Sequence, residues 1–256
     1  FAGNGARAKD LRRAFLLATP RGQMVDTLIK PVKADASTLD TQFTFQGTSQ
    51  YNTIVAGSGV SEFTVGTQAE RTAKALAIVQ KYYPAASGTN PLVKIKFVHA
   101  NTKLRNALAA LIKAEATKAG FDVEDFASAD LFGSGDNKNA KYDVTMYGFG
   151  LNSVSQSNST EIYKSDGGNN VWGWNDSALD TILASLQGDI LTPKELEAKR
   201  LAADKIVISN YWGLPLYANP TIAAFNLCCC GSSIGSCRWN ASVFRELFHE
   251  RRFESF

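Results

Sequence analysis

Val93-Lys94-Ile95-Lys96-Phe97-Val98 is the clearest strand in this sequence. Apolar and charged residues alternate strictly, as in a strand with one face in a core and the other in water. Leu104, Leu108, Leu111 and Ile112 follow at helical spacing, and Gly120 marks where that helix stops. Phe121-Asp122-Val123-Glu124 alternates again, and Tyr142 to Phe149 reads as a third strand beyond a polar loop. Strand, long helix, strand is a βαβ unit, so its two strands should be parallel.

Helices are expected on both sides of this unit. Leu11, Ala14, Phe15 and Ala18 share one helical face. Thr19-Pro20 reads as a restart, with Thr19 as N-cap and Pro20 at the first helical position. Met24, Val25, Leu28 and Ile29 then point inward as far as Pro31. Thr67-Gln68-Ala69-Glu70 and Thr192-Pro193-Lys194-Glu195 are capping boxes, opening helices to about Tyr83 and Asn210. Asp176 to Leu186 is a further helix. Gly213 to Tyr217 and Ile222 to Phe225 read as short strands. Residues 31–66 carry no helical period; Phe43 and Phe45 alternate as in a strand, and Gly57-Ser58-Gly59 reads as a turn.

A hydrophobic content of 45% against 20% charged residues is that of a folded chain. Twenty-seven basic against 24 acidic residues leave a net charge of +3, too small to point to a nucleic-acid or membrane partner. No apolar run is long enough to span a bilayer, and no signal-peptide pattern opens the chain. It begins Phe1-Ala2-Gly3-Asn4 without methionine and is read as processed or as a fragment. All four cysteines (228, 229, 230 and 237) lie in one window. Their spacing fits no paired-knuckle zinc pattern, so no metal site is expected.

Catalytic motifs are missing. His99 and His249 have no second ligand nearby, and there is no Gly-x-Ser-x-Gly elbow. Gly148-Phe149-Gly150 lacks the third glycine of a dinucleotide fingerprint. No catalytic residue and no cofactor are expected. Aromatics and neutral amides do cluster after the third strand, from Tyr147 to Thr160 and from Asn169 to Trp174. Loops at the carboxyl ends of parallel strands are where open α/β sheets hold ligands. Trp172 and Trp174 sit at strand spacing and could equally pack the next helix onto the sheet.

Four segments resemble one family, the oligopeptide/dipeptide class of extracytoplasmic solute-binding proteins of ABC transporters. They are Asp10-Leu11-Arg12-Arg13-Ala14-Phe15 with Ala18-Thr19-Pro20-Arg21; Tyr142 through Gly150; Asn169-Asn170 through Trp174-Asn175-Asp176 with Leu179-Asp180; and Leu214-Pro215-Leu216-Tyr217. The resemblance implies an α/β, periplasmic-binding-protein-like lobe with a mostly parallel central sheet flanked by helices. Residues 1–225 would be the second lobe of a longer protein, and 226–256 an atypical cysteine-containing tail. The family's first lobe, signal peptide and lipobox cysteine have no counterpart in this sequence.

By this resemblance the protein would hold a peptide or similar solute in an interlobe cleft outside the cytoplasm. It would deliver the solute to ABC permease subunits, with no chemistry and no nucleic-acid partner. Phe149, Asn152, Asn170 and Trp172 are the expected contacts, with Tyr147 and Gln156 beside them. Peptide-binding members often carry an acid three residues after the aromatic that ends the third strand; here that position is Asn152, which cannot pair with a ligand ammonium. Two alternatives are a hydrolase using the same cleft with His99 as base, and the effector-binding domain of a regulator.

Overall fold

The computed structural model describes residues 1, 3–131, 142–151, 157–220 and 251–255; for 149–151, 157–158 and 251–255 it describes the backbone alone. The expected βαβ unit is present. β1 (Val93–Ala100) and β2 (Phe121–Ser128) pair in parallel, from Val93 opposite Phe121 to Ala100 opposite Ser128. α5 (Lys103–Lys118) makes the crossover. β3 (Val144–Leu151) lies parallel to β1 on its other edge, with Phe97 opposite Val144 and His99 opposite Met146.

The sheet order is β2-β1-β3-β5-β4, where β4 is Pro215–Asn219 and β5 is Arg251–Ser255. β5 runs antiparallel to both β3 and β4. β4 therefore points the same way as the first three strands, and the sheet is mostly parallel, as expected. The segment 222–225, the four cysteines and His249 lie outside the described residues.

The alternation read in β1 is real. Val93, Ile95 and Phe97 are buried, while Lys94 and Lys96 are exposed beside Asp122 and Glu124 in register on β2. Opposite charges on facing rungs suit a wet sheet face. On the dry face lie α1 (Ala6–Ala18), α4 (Gln68–Gln80) and α5, whose buried side chains form one core with the strands. Phe1, Phe15 and Phe121 meet edge to face within it, at 5.9, 5.5 and 6.2 Å between ring centroids. A second core gathers Phe43, Ile162, Tyr163, Leu179, Leu183, Val207 and Trp212. It belongs to α6 (Ser157–Tyr163), α7 (Ser177–Gly188) and α8 (Pro193–Asn210).

Both capping boxes form: the Thr67 and Thr192 hydroxyls each accept the backbone N–H three residues on, and Glu70 and Glu195 bond back. Asp176 caps α7 through Leu179. The Thr19-Pro20 restart is offset by one residue. Thr19 closes α1, donating its hydroxyl to Phe15 O at 3.1 Å, and Pro20 is the N-cap of α2 (Arg21–Met24), which continues as a π turn over Val25–Ile29.

Residues 31–66 differ from expectation. α3 (Ser49–Ser58) and a 3₁₀ turn (Val60–Phe63) lie in this stretch, and Phe43 and Phe45 form no strand. Only Tyr51, Ile54 and Ser58 of α3 are buried, too thin a stripe among Thr, Ser and Gly to give a readable period. Gly57 and Ser58, expected in a turn, belong to the last turn of α3; Gly59 alone breaks the chain direction, at φ +92°, a backbone conformation that side chains with a Cβ disfavour.

Candidate ligand-binding site

β3 fixes the centre of the site by alternation. Val144 and Met146 point into the core shared with α1, so Thr145 and Tyr147 face the other way. Tyr147 meets Trp172 there, with ring centroids 5.0 Å apart and planes 19° apart. Trp172 stacks in turn on Trp174 at 4.8 Å, and Trp174 stacks on Tyr163 at 5.3 Å and Trp212 at 5.4 Å. Phe43 adds another ring against Tyr163. β3, the loop before α7 and the approach to β4 are thus joined by one run of aromatic faces.

The loop carrying the two tryptophans is held by its own polar groups. Asn170 donates both amide hydrogens, to Lys164 O at 3.1 Å and Trp174 O at 2.7 Å, and accepts the Trp174 N–H at 3.0 Å. Asp180 of α7 accepts the Ser165 N–H and hydroxyl. Gly167 lies so close to α6 that a Cβ there would sit 2.4 Å from Glu161 O. These contacts account for the asparagine, glycine and aspartate spacing of the stretch 167–180.

Beside the rings is a cavity of about 330 Å³. Trp172, Trp174, Trp212, Tyr142 and Thr145 line it on one side, and Arg12, Phe15 and Leu16 of α1 on the other. Phe1, Gly3 and Asn4 also reach it. Burial raises the Tyr142 phenol to about 12 and lowers the Arg12 guanidinium. Arg12 spends its N–H groups on Asn210 O, Phe1 O and Gly3 O. Thr145 Oγ1 is buried without a partner. Rings, a neutral phenol and a hydroxyl suit contact by stacking, ring edges and neutral hydrogen bonds.

The sequence candidates fall in different places. Tyr147 and Trp172 come together in the stack, and Trp172 also lines the cavity. Asn170 is the clip of the tryptophan loop, with one acceptor lone pair left over. The side chain of Phe149 and all of Asn152 and Gln156 lie outside the described residues. Trp212 and Thr145 were not singled out by sequence. Trp212 has a readable signal, an aromatic leading into the Leu214-Pro215-Leu216-Tyr217 strand, whereas nothing marks Thr145 except its alternation with Met146.

His99 is almost wholly buried. Its Nε2 lies 2.9 Å from Asp125 Oδ1 and its Nδ1 3.0 Å from Ala100 O, so both ring nitrogens are engaged. Among the described residues no group of three or more His, Cys, Asp or Glu could hold a metal. No described helix is long and apolar enough to cross a membrane.

No protein-family model and no curated protein sequence matches this chain. The likeness is to solved structures. Haemophilus influenzae OppA in complex with RPPGFSPFR matches with a TM-score of 0.63 at 17% identity, over 82% of this chain and 39% of that one. The Escherichia coli murein tripeptide binding protein MppA matches at 0.64 and 16%, over 83% and 40%. NikA from Staphylococcus aureus in complex with Ni(L-His)2 matches at 0.58 and 18%, over 79% and 40%. The fold is therefore the expected periplasmic-binding-protein-like lobe. The chain spans about two fifths of the length of these similar structures.

Proposed function

We propose that this chain is the second lobe of an extracytoplasmic solute-binding protein, which holds a peptide or similar solute against a first lobe for delivery to ABC permease subunits. One observation carries the reading most. Four fifths of the chain superposes on two fifths of proteins whose solved structures include a peptide complex and a murein-tripeptide binder. Closure of two lobes would be a population shift driven by contacts made only in the closed form.

The solute class stays broad. A nickel–histidine binder shares the fold, and Asn152 offers no charge for a peptide amino terminus. Phe149, Asn152, Trp172 and Gln156 remain the proposed contacts, with Tyr147 supporting Trp172 from beneath. Asn170 would act mainly by shaping the loop. The hydrolase reading has less support: His99 is buried and both ring nitrogens are engaged, leaving none to take a proton from a substrate. The likeness is to binding proteins and supports no regulator either.

The test uses the two-lobed protein encoded by the complete gene. Titration with a random peptide mixture, followed by tryptophan fluorescence and mass spectrometry of the retained solutes, should reveal bound peptide. Phe149→Ala and Trp172→Ala should each weaken it about tenfold or more. Retention of no solute, or variants that bind as the parent does, would refute the proposal.

A further inference from the structure

Asn4-Gly5 and Asp166-Gly167 are the pairs in this sequence that join an asparagine or aspartate to a following glycine. Such pairs are chemically labile, because a glycine nitrogen has no neighbouring Cβ to hinder its attack on the preceding side chain. The structure treats them differently. Gly167 donates its N–H to Lys164 O at 2.9 Å, and the Asp166 carboxylate is held by Lys164 Nζ at 2.8 Å. Gly167 is also pressed against α6, where a Cβ would sit 2.4 Å from Glu161 O. Asn4 and Gly5 are both exposed, and neither the Asn4 amide nor the Gly5 N–H bonds to another group among the described residues. A Cβ at Gly5 would meet nothing within 4 Å, and its φ of −66° and ψ of 154° are open to any residue. Neither packing nor backbone geometry therefore requires the glycine that makes the first pair reactive.

We infer that Asn4 is a site of spontaneous deamidation, and that the aspartate it yields caps α1. The Gly5 nitrogen, once it has lost its proton to solvent base, attacks Cγ of Asn4. The new N–Cγ bond closes a succinimide ring as the Cγ–Nδ2 bond breaks and ammonia leaves. Water then adds to either ring carbonyl and opens the ring. The product is aspartate or, where the backbone carbonyl was attacked, isoaspartate. One amide and one water give one carboxylic acid and one ammonia, with no oxidant or reductant. The backbone is anchored on both sides of the pair, by Arg12 Nη1 on Gly3 O at 2.7 Å and by the Lys9 N–H on Gly5 O at 3.1 Å. These anchors leave the reacting atoms free. The new charge stands one residue before Gly5, the N-cap of α1, which has no side chain to offer. The first turn of α1 holds no acid, while Arg7 and Lys9 lie close behind. A carboxylate there offsets the positive end of the helix and can accept from its unbonded N–H groups. The inference concerns the chain's own chemistry and stands whether or not the lobe binds a solute.

The test incubates the purified 256-residue chain at mildly alkaline pH and follows it by peptide mapping with mass spectrometry. Isoaspartate is labelled by an isoaspartyl methyltransferase. Conversion of amide to acid should appear first at Asn4, with ammonia released and both aspartate and isoaspartate formed there. Asp166 should stay unlabelled over the same period. Gly5→Ala, which the backbone accommodates, should slow the conversion by about tenfold or more, since the added methyl hinders the attacking nitrogen. Asn4→Asp should slow amide exchange at Ala6–Ala8 and raise the melting temperature of the chain. Four results would each overturn the inference: Asn4 intact while other asparagines convert, a rate that Gly5→Ala leaves unchanged, earlier labelling of Asp166, or an Asn4→Asp chain whose Ala6–Ala8 exchange equals that of the parent.

Discussion

The indole of Trp174 lies 5.4 Å from that of Trp212, with their planes only 5° apart. This contact ties the loop before α7 to the residues that lead into β4. Trp174 also stacks on Trp172 and Tyr163. It is the ring that joins the candidate contact Trp172 to the second core. The orientation of Trp172 thus depends on a neighbour that stacks on three rings, where Trp172 itself stacks on two.

Trp174→Ala should therefore destabilise the chain by about 3 kcal/mol, the usual scale for removing a large aromatic from a packed site. Trp172→Ala, which removes two ring contacts where Trp174→Ala removes three, should cost less. Urea denaturation of the purified chain, followed by far-ultraviolet circular dichroism, orders the two. A larger loss for Trp172 would mean that the stack is anchored from the β3 side.

Thr192→Ala should cost about 1 kcal/mol by removing the N-cap of α8. Thr192→Ser keeps the hydroxyl and should restore most of it. A thermal melt of each variant checks this, with the alanine variant melting several degrees lower.

Elements whose signal is local were legible in the sequence. Capping boxes and the alternation of the strands depend on residues within a few positions of each other, and they formed where expected, whereas the Thr19-Pro20 restart is offset by one residue. α3 was not legible, because only Tyr51, Ile54 and Ser58 are buried and it packs on α8, which lies far along the chain. Trp172 and Trp174 could be read as a pair facing one way. That the pair lies between Tyr147 and Trp212 is a long-range fact, set by the sheet order. The same holds for Asn170: an asparagine beside an aromatic looks like a ligand contact until the loop folds and takes its amide.

Asp204 should make stability fall as pH rises. It is 2% exposed on α8, and burial, opposed by hydrogen bonds with Thr41 and Ser58, raises its carboxyl to about 7. The unfolded carboxyl titrates near about 3.9, so the folded state holds the proton more tightly. The contribution is complete below about pH 4 and is lost as pH climbs through about 7. Asp204→Asn should flatten that dependence and, at pH 8, stabilise the chain by on the order of 2 kcal/mol. Urea titrations at pH 5 and pH 8 give the comparison; equal pH dependence in parent and variant would show that Asp204 does not set it.

Asn170→Ala separates the two roles open to this residue. Its amide makes three hydrogen bonds inside the loop, two to carbonyls and one from the Trp174 N–H. Their removal leaves those backbone groups to water or to nothing, at about 1–3 kcal/mol in total. Exchange at the Trp174 amide should accelerate, and the loss should appear in the isolated chain with no solute present. Asn170→Asp should be worse at neutral pH, since a carboxylate would face the Lys164 and Trp174 carbonyls with no hydrogen to donate. At a pH low enough to protonate the carboxyl, one donor returns and part of the loss should reverse. Suppose instead that Asn170→Ala leaves stability and Trp174 exchange untouched but abolishes solute retention by the two-lobed protein. The residue would then act through its remaining lone pair as a direct contact, and the clip would be secondary.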